Sequence, residues 1–149
     1  MSFRIRRIVT AHDAGGKSVV GSDGTIESTP GKIDKAISAA DIWWTRSVPA
    51  DIAAHDARNE PSPGMPTPGG TLLKVLEIAP GTKPVMHKTE TLDYVIVIDG
   101  EVDMLLDDGA EVCMKAGDIM IQRGTVHGWA NRRDRPCRIA FFLVDARGT

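Results

Sequence analysis

Two histidines, an aspartate and a threonine are the side chains of this chain best suited to do chemistry. His87 opens the stretch His87-Lys88-Thr89-Glu90-Thr91-Leu92-Asp93-Tyr94, which follows a Pro80-Gly81 turn and runs into the strand-formers Val95-Ile96-Val97-Ile98. His127 sits in Gly124-Thr125-Val126-His127-Gly128-Trp129-Ala130-Asn131. Two neutral imidazoles and one carboxylate, brought together, suit a first-row transition metal and leave positions open for water or substrate. Thr89 shares the face of His87 if the strand is regular, and its hydroxyl then suits a metal-bound water better than the metal itself. Asp93 has two readings: a ligand that must start close to the ion, or a partner that orients His87. Gln122 and Arg123 read equally as polar contacts at a cavity mouth and as a solvated turn. Tyr94 and Trp129 read first as packing groups and second as substrate contacts. Taken singly, His87 reads as an exposed loop residue and His127 as a hydrogen-bonded core histidine.

The elements that must position these groups begin at residue 71. Thr71 to Ile78, Leu92 to Ile98, Glu101 to Leu106, Glu111 to Lys115, Ile119 to Gln122, a strand at His127 and Cys137 to Val144 are short apolar or alternating runs separated by turn residues. Asp99-Gly100 reads as a two-residue hairpin turn, and Asp107-Asp108-Gly109 and Ala116-Gly117-Asp118 as the next two turns. Many short antiparallel strands argue for an all-β barrel or sandwich. Two of the strands are apolar on both faces: Tyr94, Ile96 and Ile98 alternate with Val95 and Val97, and Ile139, Phe141 and Leu143 alternate with Ala140, Phe142 and Val144. A half-solvated strand shows polar residues at every second place. The outer face therefore needs a cover, and a homodimer is the expected one, with the N-terminal arm as the rival.

That arm spans residues 1–70, and the barrel 71–146. Residues 3–10 read as a strand with one basic, solvated face, and Ser18-Val19-Val20 as a short strand between turns at 14–17 and 21–24. Gly15-Gly16-Lys17-Ser18 lacks the spacing and following helix of a phosphate loop. Thr29-Pro30 is expected to start a short helix over 29–41 carrying Ile33, Ala36, Ile37 and Ala40 on one face. Ile42-Trp43-Trp44-Thr45 reads as a strand, and the Pro- and Gly-rich segment 61–70 as a long loop.

Bulk properties exclude several classes. A chain of 149 residues, 42% hydrophobic and 26% charged, suits one globular domain. The formal net charge of -2 calls for no nucleic-acid partner. No apolar run reaches the length of a membrane span, and the basic N-terminus lacks the apolar core of a signal peptide, so a cytoplasmic protein is expected. Cys113 and Cys137 are expected as inert buried thiols, Met86, Met104, Met114 and Met120 as core filler, Asn131 as a turn-fixing residue, and His12 and His55 as surface histidines.

The spacing of these groups resembles the cupin superfamily. Its first motif is glycine, five residues, His-x-His, three or four residues, glutamate, six residues, glycine; the chain shows Gly81, five residues, His87-x-Thr89, three residues, Asp93, six residues, Gly100. Its second motif is matched by Gly117-Asp118, Gly124, His127 and Asn131, with Gln122 where proline is usual. The resemblance covers residues 71–145 and is closest to small single-domain cupins of the conserved-barrel type. It implies a double-stranded β-helix, or jelly-roll barrel, with the arm packed on it and both motifs at its mouth. It implies a divalent metal (iron, manganese, zinc or nickel) on His87, Asp93 and His127, with Thr89 in the place of the usual second histidine. The activity expected is that of a metal-dependent enzyme on a small organic substrate, of dioxygenase-like, lyase or isomerase type. The alternative is a non-catalytic cupin that binds a small molecule as sensor or carrier.

Overall fold

The computed structural model of the chain describes residues 2–32 and 34–148. Its strands are β1 (Arg4–His12), β2 (Ser18–Glu27), β3 (Thr29–Pro30), β4 (Ile37–Thr45), β5 (Thr71–Ile78), β6 (Thr91–Asp99), β7 (Glu101–Leu105), β8 (Glu111–Lys115), β9 (Ile119–Arg123), β10 (Gly128–Ala130) and β11 (Cys137–Asp145). They form a six-stranded sheet in the order β3-β4-β5-β11-β6-β9, a three-stranded sheet in the order β10-β7-β8, and a β1-β2 ribbon. All pairings are antiparallel. The protein is an all-β jelly-roll barrel. None of its described helices is long and apolar enough to cross a membrane.

Alternation along each strand decides what lies inside. On β6, Thr91, Asp93, Val95 and Val97 are buried while Tyr94, Ile96 and Ile98 are exposed. On β11, Cys137, Ile139, Phe141 and Leu143 point inward. These meet Leu72 and Ile78 of β5, Trp44 of β4, and Val102, Met104, Met114 and Trp129 of the smaller sheet in one core. Apolar burial of this kind is the main driving force for closing the barrel.

The arm contributes more than a cover. Its β4 pairs with β5 and so extends the large sheet. Phe3, Ile26, Ala40 and Val75 form a second cluster, flanked by Ile5, Ile42 and Ala140, on the outer face of β4, β5 and β11. Arg138 stacks over Phe3 at 4.9 Å and bonds Glu77 at 2.7 Å, which seals that cluster. The β6–β9 half of the same outer face stays bare.

Several expectations are corrected. The described residues of 29–41 form no helix: residues 37–45 pair with β5 as β4, with Ile37 packed on the barrel core and Ala40 in the outer cluster. The Asp34 carboxylate accepts from Ala36 N at 2.8 Å, a local turn that competes with helix formation. Ile33 lies outside the described residues. Gly21 and Gly24 lie inside β2; the register slips between Val9 and Thr10, so Gly21 is the extra residue of a bulge, with room for no Cβ beside Ala11. Cys113 is exposed, and only Cys137 is buried. Met86 is 43% exposed, unlike the buried Met104 and Met114.

Asp99-Gly100 is a corner, not a hairpin. β6 pairs with β9 and β11, whereas β7 belongs to the other sheet, so the chain changes sheets at Gly100. Gly100 has φ +80°, and a Cβ there falls 2.4 Å from Pro136 O. Gly100→Ala is therefore expected to cost on the order of 3 kcal/mol. Urea denaturation should show a lower midpoint at unchanged slope; an unchanged midpoint contradicts this account of the corner.

Candidate functional site

The loop before β6 is laid against the segment that leads into and out of β10. Gly81 N donates to Asn131 O at 2.8 Å, and Asn131 N to Thr82 O at 3.1 Å. At the far end His87 and His127 exchange both backbone bonds, each 2.9 Å. Asn131, fully buried, anchors this arrangement by donating its amide to Ile78 O and Arg135 O, both at 2.9 Å. Gly128 lets the loop approach: a Cβ there falls 2.8 Å from Met86 Sδ, 3.1 Å from Pro84 Cβ and 3.3 Å from Val85 O.

The directly opposed backbones bring the two imidazoles face to face, with ring centroids 4.4 Å apart and planes tilted by 52°. His87 Nδ1 lies 2.9 Å from Val85 O, and His127 Nδ1 lies 2.9 Å from Thr125 O. A ring that donates from Nδ1 to a carbonyl carries its lone pair on Nε2, the arrangement that metal-binding histidines use. The Gln122 amide nitrogen also lies 2.8 Å from His127 Nδ1, but Thr125 Oγ1, 2.7 Å from the same nitrogen, gives it another acceptor. The tautomer with Nδ1–H and a free Nε2 thus leaves no donor unsatisfied.

Asp93 stands opposite Gln122 across the β6–β9 pair and is 3% exposed. Its Oδ1 is buried without a hydrogen-bond partner. Burial pushes the Asp93 carboxyl up, and the Thr91 hydroxyl with the charges of His127, Lys74 and His87 only partly offsets that. Burial also lowers the His127 pKa, so its imidazole is held neutral. A buried, unpaired acceptor is costly in a native fold, and here it lies within electrostatic reach of both imidazoles.

The other expected residues take different places. Thr89 is half-buried and accepts from the Thr91 hydroxyl at 3.0 Å. Trp129 packs edge-on against His127 at 5.8 Å and Phe141 at 5.7 Å, which makes it the floor of the pair. Gln122 lies against His127 from β9, its amide held by Thr125. Tyr94 lies on the opposite face of β6, 46% exposed and paired with Phe142, away from the histidines. Arg123 is exposed on the same outer face. Two inner-wall residues escape sequence reasoning: Lys74, which shares a face of β5 with Leu72 and Leu76, and Asp41, 3.6 Å from its ammonium. The signal was a lysine on the face of β5 that otherwise carries Leu72, Leu76 and Ile78.

Whether this donor set fits a metal rests on two observations. The facing imidazoles and the orphaned Asp93 Oδ1 fit. Among the described residues, however, no three His, Cys, Asp or Glu side chains are placed to hold an ion together. The set fits an ion held through two imidazoles, with Asp93 as a neighbouring carboxylate and not a preformed third ligand. Two surface clefts, of about 430 and 470 Å3, are lined by other residues; the larger one reaches Thr91, two positions from Asp93.

Comparison with known proteins decides the family. The Cupin domain family matches residues 74–144. Phomopsin biosynthesis cluster protein C' of Diaporthe leptostromiformis is 34% identical over 150 residues, covering 95% of this chain and 78% of that protein. The chain belongs to the cupin family. Cupin-domain-containing oxidoreductase fogC of Aspergillus ruber is 37% identical over 151 residues, covering 95% of this cupin and 73% of its own length. Among solved structures, the Cnp3 cupin domain of Schizosaccharomyces pombe superposes with a TM-score of 0.59 at 11% identity, over 94% of this chain and 87% of that one. The polyketide cyclase RemF of Streptomyces resistomycificus superposes at 0.51 with 19% identity, over 77% and 69%. These two likenesses bear on the fold alone.

Two outcomes test this geometry. In chelator-treated protein, Asp93 binds its proton more tightly folded than unfolded, so its contribution is fully present below about pH 4 and is lost as pH rises through its raised value. Asp93→Asn should therefore gain stability over the parent as pH climbs from about 4, by up to about 1.4 kcal/mol per unit, in urea melts; a constant difference contradicts the buried carboxylate. Gly128→Ala should push the 84–86 loop and His87 outward, which proton NMR reads as a changed His87 ring environment; an unmoved resonance contradicts the packing.

Proposed function

We propose that this cupin is an oxidoreductase acting on a small organic molecule at the mouth of its barrel. A divalent transition metal (iron, manganese, zinc or nickel) is bound through His87 Nε2 and His127 Nε2, with Asp93 beside it. The observation that carries this reading is the adjacent pair of imidazoles, each with Nδ1 2.9 Å from a backbone carbonyl, which favours the tautomer with its lone pair on Nε2. The relatives support it: fogC and srdB are named as cupin-domain-containing oxidoreductases, and others as biosynthesis cluster proteins.

When bound, the metal supplies Lewis acidity or a redox centre. The chain's own residues do the rest. Val85 and Thr125 fix the two ring tautomers, so neither histidine needs to reorient on binding. The orphaned Oδ1 of Asp93, in a carboxyl whose pKa burial raises, is suited to accept and return a proton. Trp129 closes the floor and keeps water from the barrel interior. Val85 and Met86, 54% and 43% exposed beside His87, offer apolar contact to an organic substrate. The fold leaves open which bond of the substrate is oxidised or reduced. Two free thiols, one exposed, suit a reducing compartment, which supports a cytoplasmic location.

One observation favours a second reading, a non-catalytic binding cupin: Thr89 replaces an imidazole and its hydroxyl is already engaged with Thr91. Titration calorimetry with Fe(II), Mn(II), Zn(II) and Ni(II) separates the two. One ion per chain should bind, His87→Ala or His127→Ala should weaken binding at least about 100-fold, and Thr89→His should tighten it at least about tenfold. Wild-type protein that binds each ion no better than the double alanine variant sinks the metal reading and leaves the binding module.

A further inference from the structure

Lys74 and Asp41 form a charge pair on the inner wall whose hydrogen bonds are incomplete. Lys74 stands on the face of β5 that carries Leu72, Leu76 and Ile78. It lies directly opposite Asp41 of β4 and Phe141 of β11. Opposed residues of an antiparallel pair put their side chains on one side of the sheet. The two side chains are mostly buried, 15 and 18% exposed. An ammonium has three N–H groups to place. Gly64 O accepts one at 2.7 Å, and Lys74 makes no other hydrogen bond among the described residues. Asp41 Oδ1 lies 3.6 Å away, close enough for attraction and too far for a hydrogen bond. That oxygen is buried and accepts from no donor.

A buried ion pair offsets its desolvation only when its remaining donors and acceptors are satisfied. Here free donors and a free acceptor stand side by side, with a gap between them. One atom that accepts on one side and donates on the other closes it. A carboxylate or phosphate placed there meets the charge of Asp41, and an ammonium meets the charge of Lys74. A neutral hydroxyl suits both, because its oxygen accepts and its proton donates. The other oxygen of Asp41 already shows this chemistry: Oδ2 accepts from the Ser62 hydroxyl.

The pair is fixed in place and connected to the histidines. Arg58 Nη1 donates to Asp41 O at 2.7 Å, and Ser62 and Gly64 hold Asp41 and Lys74 from the rim. The Lys74 charge reaches the Asp93 carboxyl, so the two share one interior. Phe141, beside Lys74, packs edge-on against Trp129, and Trp129 packs against His127. One apolar wall thus runs from the charge pair to the imidazoles.

We propose that Lys74 and Asp41 are a specificity subsite for a neutral hydroxyl, of an alcohol or a phenol, on the substrate. Lys74 donates to the hydroxyl oxygen, and Asp41 Oδ1 accepts from its O–H. The subsite binds and orients; no bond is made or broken there. The assignment rests on the reading of the barrel as the substrate site, and it narrows the substrate to a hydroxylated molecule that is uncharged at this end.

Amide proton–nitrogen correlation spectra of the full chain, treated with chelator, test it with four probes: phenol, cyclohexanol, anisole and benzoate. Phenol or cyclohexanol at millimolar concentration should shift the Asp41 and Lys74 amides saturably, and the tighter of the two shows whether the hydroxyl is aryl or alkyl. Anisole, which has no O–H, and benzoate should each bind at least about tenfold more weakly. The double variant Asp41→Asn/Lys74→Met, which strands neither charge, should bind phenol and cyclohexanol no better than the wild type binds anisole. Should that variant misfold, the anisole and benzoate comparison on the wild type decides. Anisole equal to both alcohols, benzoate tighter than both, a folded double variant that keeps the affinity, or no saturable shift with either alcohol overturns the subsite and leaves the pair a structural one. Zinc titration of the wild type is read separately: absent zinc binding with hydroxyl binding intact sinks the metal reading and not the subsite.

Discussion

The reciprocal pair of backbone hydrogen bonds between His87 and His127 is the contact on which the functional geometry depends. It joins two loops forty residues apart in sequence, at the point where neither belongs to a regular sheet. Directly opposed residues of an antiparallel pair put their side chains on the same side at close range. Once the backbones are tied, the imidazoles have little choice but to face each other. Gly81, Thr82 and Asn131 hold the other end of the same loop, and Gly128 removes the one side chain that would keep it away.

The rest of the barrel makes this contact tolerable. Inward positions near the base are apolar, and inward positions near the mouth are Asp93, Gln122, His127, Lys74 and Asp41. The cost of burying these groups is spread: Lys74 pairs with Asp41 and bonds Gly64 O at 2.7 Å, and Gln122 finds Thr125. Asp93 Oδ1 and Asp41 Oδ1 are left without a hydrogen bond, and Asp41 Oδ1 still lies 3.6 Å from the Lys74 ammonium. A fold with a filled, apolar base has stability to hold such a polar cluster at its rim. The arm works in the same direction, since β4 and the Phe3 cluster bury one half of the outer face that would otherwise stay wet.

Much of this was legible in the chain. Strand positions from residue 71 follow from alternation and turn residues, and the spacing from Gly81 to Gly100 singled out His87, before β6, and Asp93, within it. What escaped has physical reasons. Ala36, Ile37 and Ala40 fit a helical spacing locally, and pairing with β5, distant in sequence, sets Ile37 and Ala40 on opposite faces of a strand instead. Gly100 carries the residue types of a tight turn, but the approach of Pro136 from a distant segment makes it a sheet corner. Tyr94 sits next to Asp93 in sequence and therefore on the other face, a consequence of the two-residue period. The Lys74–Asp41 pair joins two strands thirty-three residues apart, a pairing that local pattern does not encode.

The claim at the centre is that His87 and His127 present their free Nε2 atoms to one common point. Anomalous diffraction from crystals grown with Mn(II), Fe(II), Ni(II) or Zn(II), recorded at each absorption edge, reads it directly. A peak within bonding distance of both Nε2 atoms, with Nδ1 still on Val85 and Thr125, is the expected result. Imidazoles turned to bulk solvent or bound to separate ions would contradict it.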